Sequence, residues 1–515
     1  MSHLPLVVLL CVLAGFLVLE AFVCFDATEK KKFAATTSTS EAAHATSETA
    51  VKSAVGATYD EMESVAFASK MPLLWMIAFM CLAADAGYNI IVPYLPSLVI
   101  HAGATEVGAG FIIACYPFGL VVGALLAPYL LRIVPAVDVI RISGALMGVA
   151  SACFGLTTHI DHATVAVYIM CLCRVVLGTC IAANETSAQA MVFRMVKASQ
   201  ITRANAVLMS IRFVGQLGSP ALGALLYEAG GASAPMLFSS AVFLALYVVF
   251  AFWMMPRLKG TALLPKPIPD QPGVFQIWSV PPAWLVIAYV CLLTTSEFAM
   301  EPLYNPVLKA SPYNLGYTEI GAWTLIAPCS GILAAILLMD AYKKIGIPAT
   351  LYAAVVVMVV GLIFLGPSKV LSSILPPSLG LLAGAQVLQG AGYMVGLMMT
   401  PIMMLDVLWH ERKLTKKQVA GSMAATNLVT SGIAGTLAPI LSSAVYQATD
   451  SDFEWATTSV LILEAVCVPP VIFFLSRRLH PGFAEDEEQS EDGSDQENTN
   501  DTVSPERGVA IVNSI

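Results

Sequence analysis

The chain has 515 residues, 57% of them hydrophobic and 12% charged, with a net charge of −9 and a mean hydropathy of +0.77. Soluble domains carry roughly 25% charged residues, so a chain this apolar is expected to be solvated by lipid rather than folded around one water-facing core. No basic, aromatic-rich segment suggests nucleic acid as a partner.

The first segment, 4–24, is apolar but lacks a basic leading region. It reads as an extra uncleaved span, with a cleaved signal peptide as the alternative. Residues 25–70 contain Lys30, Lys31 and Lys32 and an Ala/Ser/Thr-rich stretch, and they read as a flexible linker. Twelve runs then approach or exceed the ~20 apolar residues that a bilayer needs. They lie near 72–99, 107–131, 136–157, 163–192, 202–228, 234–255, 281–307, 319–340, 347–366, 375–405, 418–447 and 455–476. A Pro- and Lys-rich connector over 257–280 divides them into six-helix halves, 71–256 and 281–477. Residues 482–507 hold ten carboxylates against one Arg, so the tail 478–515 is expected to be solvated and disordered.

Basic residues fall in alternate loops. Arg132, then Arg194, Lys197 and Arg203, then Arg257, Lys259 and Lys266 begin the series. Lys343 and Lys344, then Arg412, Lys413, Lys416 and Lys417, then Arg477 and Arg478 continue it. Positive loops stay in the cytoplasm, which predicts cytoplasmic termini for the twelve-span core, in the plasma membrane or an endomembrane.

The halves repeat. Thr105-Glu106-Val107-Gly108-Ala109 returns as Thr318-Glu319-Ile320-Gly321-Ala322, and Arg174-Val175-Val176-Leu177-Gly178 as Gln386-Val387-Leu388-Gln389-Gly390. Pro220 with Tyr227 is echoed by Pro439 with Tyr446, and Pro93-x-x-Pro96 loosely by Pro302-x-x-x-Pro306. Paired membrane halves of this kind are an architecture of secondary transporters that bind solute between the halves at the bilayer midplane.

Charges inside spans are costly and are functional hypotheses by default. Asp85 and Asn89 lie in the first core span; Glu297 and Glu301 lie one turn apart in the seventh, just before Pro302. The repeat makes these two spans symmetry mates, which predicts that Asp85 and Glu301 face one another and hold a cation or a proton between them. The prolines are expected to interrupt their helices and free carbonyls toward a cavity.

Arg174 lies in mid-span, and Glu185 and Arg212 fall at similar depths on the fourth and fifth spans, as a buried ion pair would. Gln216, Tyr116, Tyr304, Asn305, Tyr393 and Asn427 are further polar candidates for the path. Gly218-Ser219-Pro220 with Gly223 predicts close helix packing and a hinge. Met398, Met399, Met403 and Met404 read as packing residues. The eleven Cys lie mostly in apolar runs without metal-ligand spacing. There is no phosphate-binding Gly-rich loop, no His-Glu-x-x-His and no nucleophile elbow, so an enzyme, a cofactor and a metal site are not expected.

At these residues the chain resembles the major facilitator superfamily, and within it the vesicular amine transporters and drug:proton antiporters. The resemblance covers about 72–477. It rests on Asp85 with Val92-Pro93-Tyr94-Leu95-Pro96, on Arg174-Val-Val-Leu-Gly178, and on Gly218-Ser219-Pro220-Ala-Leu-Gly223 followed by Tyr227-Glu228. Glu301-Pro302 and Met398-Met399-Thr400-Pro401-Ile402-Met403 complete it. The resemblance implies an all-α fold of twelve helices in two pseudo-symmetric halves, with one extra N-terminal helix from segment 4–24.

The chain also departs from those carriers. Cys115 stands where they have a lysine, acids are missing near Gly396 and at Asn427, and the loop motif after the second span survives only as Arg132. Arg212 and Glu185 are charges that those carriers lack.

The resemblance implies a monomeric secondary transporter for a small organic solute, favouring a cationic amine or drug-like compound exchanged for protons. Asp85, Asn89, Glu297, Glu301 and Asn427 would form the binding or coupling set. Arg174, Glu185, Arg212, Gln216, Tyr304 and Asn305 would support it, and Gly218, Pro220 and Gly223 would serve gating. An anionic, zwitterionic or neutral solute, and a non-transporting receptor on a transporter fold, remain open alternatives.

Overall fold

The computed structural model describes residues 75–480, apart from 92–93, 96–105, 161, 196–200, 255–271, 339–340, 366–368, 370, 372–373 and 451. The N-terminal segment 1–24, the linker 25–70, Pro93 and Pro96, most of the central connector and nearly all of the acidic tail lie outside the described residues.

The described chain is almost wholly helical. The first half contains α1 (75–89), α2 (Glu106–Ile133), α3 (Ala136–Leu156), α4 (Ala163–Met195), α5 (Ile201–Gly230) and α6 (Ala234–Val248), which runs on into a π-helical turn. The second contains α7 (Ala283–Lys309), α8 (Tyr317–Trp323 and Ile326–Leu338), α9 (Ile347–Phe364), α10 (Leu379–Met398 and Thr400–Arg412), α11 (Lys416–Ala448) and α12 (Phe453–Ser476). Among the described residues, ten helical stretches are long and apolar enough to cross a membrane. The other two of the predicted twelve are α1, described over part of its predicted span, and α5. The latter is 30 residues long but carries Asn205, Arg212, Gln216 and Glu228. Residues that turn inward between helices need not be apolar, so polarity here marks a face and does not exclude a span.

Two expectations about prolines are corrected. Helix α7 passes unbroken through Pro302 and Pro306, and α5 through Pro220. Neighbouring helices tolerate the lost hydrogen bond in a membrane helix, so no break is needed. The breaks fall elsewhere, at Thr324–Leu325 and at Met399. At Met399, Pro401 starts the next segment from its first turn, where its missing N–H costs nothing. The four methionines around this break are buried, as packing residues are.

The repeat is visible in how the helices touch. A Cβ on Gly119 would lie 2.3 Å from the Val175 carbonyl oxygen, and one on Gly178 would lie 2.2 Å from that of Tyr116. Only glycine lets α2 and α4 approach this closely. The equivalent crossing of α8 and α10 uses Gly331 and Gly390, each 212 residues further on: a Cβ on Gly390 would lie 2.1 Å from the Ala327 carbonyl oxygen, and one on Gly331 2.7 Å from the Phe213 ring and 3.1 Å from the Gly390 oxygen. Between the halves, α2 packs on α11 and α5 on α8. The packing thus stacks each half from its own helices and joins the halves along two seams.

Candidate functional site

Helix α5 lies backbone-close against α1. A Cβ on Gly215 would meet the Leu82 oxygen at 2.3 Å, and one on Gly223 the Ile90 oxygen at 1.8 Å. Of the expected small-residue face, Gly223 makes such a close approach; Gly215 adds one that was not expected, and the expected helix break is absent. The same approach brings Arg212, one turn before Gly215, onto Asp85, one turn after Leu82.

The Arg212 guanidinium donates from Nε to Asp85 Oδ2 at 2.8 Å and pairs through Nη2 with Glu185 Oε1 of α4 at 3.0 Å. Gln216, one turn along α5, donates to Asp85 Oδ1 at 3.2 Å. Asp85 and Glu185 are both buried. The ion pair expected between Glu185 and Arg212 is therefore present, with Asp85 as a third member. Asp85 does not stand as a bare carboxylate opposite Glu301.

Glu301 has a different partner. The Tyr88 hydroxyl donates to Glu301 Oε1 at 3.4 Å, across a sequence separation of 213 residues. Tyr88 stacks on Tyr116 of α2 with ring centroids 4.2 Å apart. The Arg174 guanidinium sits 5.0 Å from the Tyr88 centroid and 4.9 Å from that of Tyr116, within cation–π range. The Gly119–Gly178 crossing sets this arrangement, because it fixes Tyr116 and Arg174 on facing turns of α2 and α4. Arg174 is 1% exposed, and its Nε and Nη1 have no hydrogen-bond partner among the described residues. Glu297, one turn before Glu301, is half-buried.

The remaining candidates are distributed around this core. Asn89 donates to the Asp85 carbonyl within its own helix at 3.1 Å. Asn427 donates to Thr400 Oγ1 at 3.4 Å, next to the α10 break, and not to the acidic cluster. Tyr304 hydrogen-bonds with Gln386 and Gln389 of α10. Tyr393 stacks with Phe213 across the seam between α5 and α10, at 6.3 Å between centroids. The Asn305 side chain lies outside the described residues. Gly218 and Pro220 continue α5 without interruption.

Three features escaped the sequence reading. Tyr88 links the two clusters, yet an aromatic residue in an apolar helix gives no signal beyond packing. Glu464 of α12 is fully buried, and neither its oxygens nor the Tyr289 hydroxyl has a hydrogen-bond partner among the described residues. The Ser296 hydroxyl lies beside it and donates to the Leu293 carbonyl at 3.0 Å. An acid in the middle of an apolar run was signal enough to have flagged Glu464. The third feature, a group of Asp406, His410 and His480, lies at the ends of α10 and α12.

The profile of the Major Facilitator Superfamily matches residues 74–406. A search of curated proteins returned no match. Among solved structures, a bacterial homologue of the iron transporter ferroportin in an outward-facing state is similar, with a TM-score of 0.62 at 15% identity, covering 78% of this chain and 99% of that one. The same homologue soaked with iron gives a TM-score of 0.60 at 15% identity, over 78% and 98% of the two chains. The human organic anion transporter MFSD10 (TETRAN) gives 0.56 at 13% identity, over 78% and 98%. At these identities the likeness is one of fold. The family match covers well over half of the chain, which therefore belongs to the major facilitator superfamily and is a multi-pass membrane transporter, not an enzyme.

Proposed function

We propose that the protein moves a small organic cation, an amine or drug-like compound, in exchange for protons, by alternating access between its halves. The charge count of the site carries this reading. Asp85, Glu185, Glu297 and Glu301 are four acids, against Arg174 and Arg212. With all groups ionised this leaves two negative charges in excess, in surroundings that penalise unpaired charge. Arg212 is shared by Asp85 and Glu185, while Glu301 is held by a neutral phenol. Glu301, with Glu297 beside it, is then the acid that binds either a proton or a cationic substrate, and mutually exclusive occupancy is what couples the two. Asp85, Asn89 and Gln216 orient α1 for this. Asn427 and Tyr304 line the path in the second half, Asn305 is assigned a supporting role with them, and the small face around Gly218, Pro220 and Gly223 lets α5 slide on α1. The core termini face the cytoplasm, and the protein acts as a monomer.

The test is substrate-dependent proton flux in vesicles holding the purified protein, screened against amines, drugs and organic anions. An amine-driven pH signal, lost in a folded Glu301→Gln variant, is the expected result. Coupled transport that is undiminished in Glu301→Gln overturns the assignment.

One observation favours a second reading. The Arg174 guanidinium is buried between two phenol rings, and its Nε and Nη1 have no hydrogen-bond partner among the described residues. Those donors suit a carboxylate or sulfonate, so an organic anion is the alternative substrate. Uptake of anions alone, abolished by Arg174→Lys, would select this reading, because lysine keeps the charge and loses the planar fork.

A further inference from the structure

The second segment of α10 carries Asp406 and His410 in its last two turns, and the chain leaving α12 returns to the same spot through His480. His410 Nδ1 lies 2.8 Å from Asp406 Oδ1, and His480 Nδ1 lies 3.2 Å from the same oxygen. The other carboxylate oxygen accepts the His480 backbone N–H at 2.8 Å. The Asp406 side chain is 1% exposed, while that of His410 is 27% and that of His480 49% exposed. One ligand atom from each residue falls within 4.8 Å of the others.

From this geometry we infer that Asp406, His410 and His480 form a binding site for a divalent transition-metal ion of the zinc class, which clips the end of α12 to α10. Two imidazoles and one carboxylate are a donor set for such ions, whose bonds to nitrogen and oxygen run at about 2.0–2.2 Å. Ligand atoms placed tetrahedrally around one ion at that radius lie about 3.3–3.6 Å apart, so the two nitrogens at Asp406 Oδ1 need to move out by only a few tenths of an ångström on binding. His410 and Asp406 are one turn apart, so the helix itself sets their spacing. The backbone bond to Oδ2 holds the carboxylate with Oδ1 turned toward both rings, the kind of support that metal-bound carboxylates use. The two rings stack at 3.4 Å and 11°. An ion in the plane of both therefore requires one ring to swing. His480 is half exposed beyond the last helix and can do so by rotating about its Cα–Cβ bond.

Three protein ligands leave at least one position for water. The role inferred for the ion is to hold the chain end, not to carry the solute. Calcium and magnesium prefer all-oxygen shells, so discrimination against them is part of the inference.

The test uses the full chain in detergent, stripped with chelator and titrated with Co²⁺, whose visible ligand-field absorption reports nitrogen and oxygen coordination directly. The expected result is one Co²⁺ per chain at this site, displaced by Zn²⁺ and not by Mg²⁺, with affinity at least about tenfold weaker in His480→Gln. Because His480 is exposed, that variant is expected to fold. A His410→Gln variant with a thermal midpoint matching the parent gives the second check. Equal Co²⁺ binding by the parent and His410→Gln/His480→Gln, or no Co²⁺ binding by the parent, overturns the inference.

Discussion

Arg212 reaches Asp85 through two nitrogens, Nε at 2.8 Å and Nη2 at 3.4 Å, while Nη2 also pairs with Glu185. One guanidinium thus ties α5 to both α1 and α4. Removing one member of a buried charge group leaves the others uncompensated, at a cost of about 3–5 kcal/mol. Arg212→Met is expected to lose most of its stability in a detergent melt. Adding Asp85→Asn and Glu185→Gln to it is expected to recover a large part. A triple variant no more stable than the single one would mean that the charges are not coupled.

Tyr88→Phe removes only the hydroxyl that reaches Glu301 and keeps the stack on Tyr116. One hydrogen bond to a charged group is worth about 1.5–3 kcal/mol. The variant is expected to fold normally and to lose roughly tenfold or more in coupled flux. Unchanged flux would make Tyr88 a packing residue and nothing more.

The Gly119–Gly178 crossing admits no side chain. Gly178→Ala would press a methyl carbon against the Tyr116 carbonyl at 2.2 Å, so helices α2 and α4 must separate. Helix separation there moves Tyr116 away from Arg174, and loss of both stability and transport is expected. Gly380→Ala on α10 is the matched control, since nothing lies within 4 Å of its added carbon. It is expected to be neutral or stabilising by up to about 1 kcal/mol. Equal damage by both substitutions would sink the close-packing argument.

Outside the spans, Lys369 Nζ sits 2.8 Å from both Asp452 Oδ2 and Glu454 Oε2. Hydrogen bonds that the ammonium donates to Asp452, then to Glu454, raise its pKa above the ordinary value. A raised folded-state value means that the tie is fully present below the ordinary lysine value of about 10.4 and is lost as pH climbs through the folded one. The group is exposed, so the effect is small. Lys369→Gln is expected to melt slightly below the parent at pH 7 and 9. The gap should close at strongly alkaline pH. A gap that persists there would place the effect in packing.

Much of the fold was legible because lipid demands long apolar runs and duplication leaves repeated motifs. The Arg212–Glu185 pair was also legible, since two opposite charges at matching depths on neighbouring spans have few other partners. Asp85 was found as a candidate, but its neutralisation by Arg212 depends on how closely Gly215 and Gly223 bring α5 to α1, which periodicity does not express. The prolines misled, because a packed membrane helix absorbs them. Arg174 was visible, whereas its two-ring cage was not: Tyr88, Tyr116 and Arg174 come from three helices. Asp406, His410 and His480 share no motif, since the third ligand arrives 70 residues after the second.

Tyr88 and Glu301 touch at a separation of 213 residues, which is the offset of the Thr105–Thr318 repeat and one more than that of the glycine crossings. Contacting residues at equivalent positions of two pseudo-twofold halves lie beside the axis itself. In a symmetric homodimer a residue on the axis can meet only its own copy, so this spot would hold two phenols or two carboxylates. A phenol facing a carboxylate is available only once the two halves have changed separately. Divergence of the halves is thus a precondition for the chemistry of this contact, and joining them in one polypeptide keeps the unlike pair together.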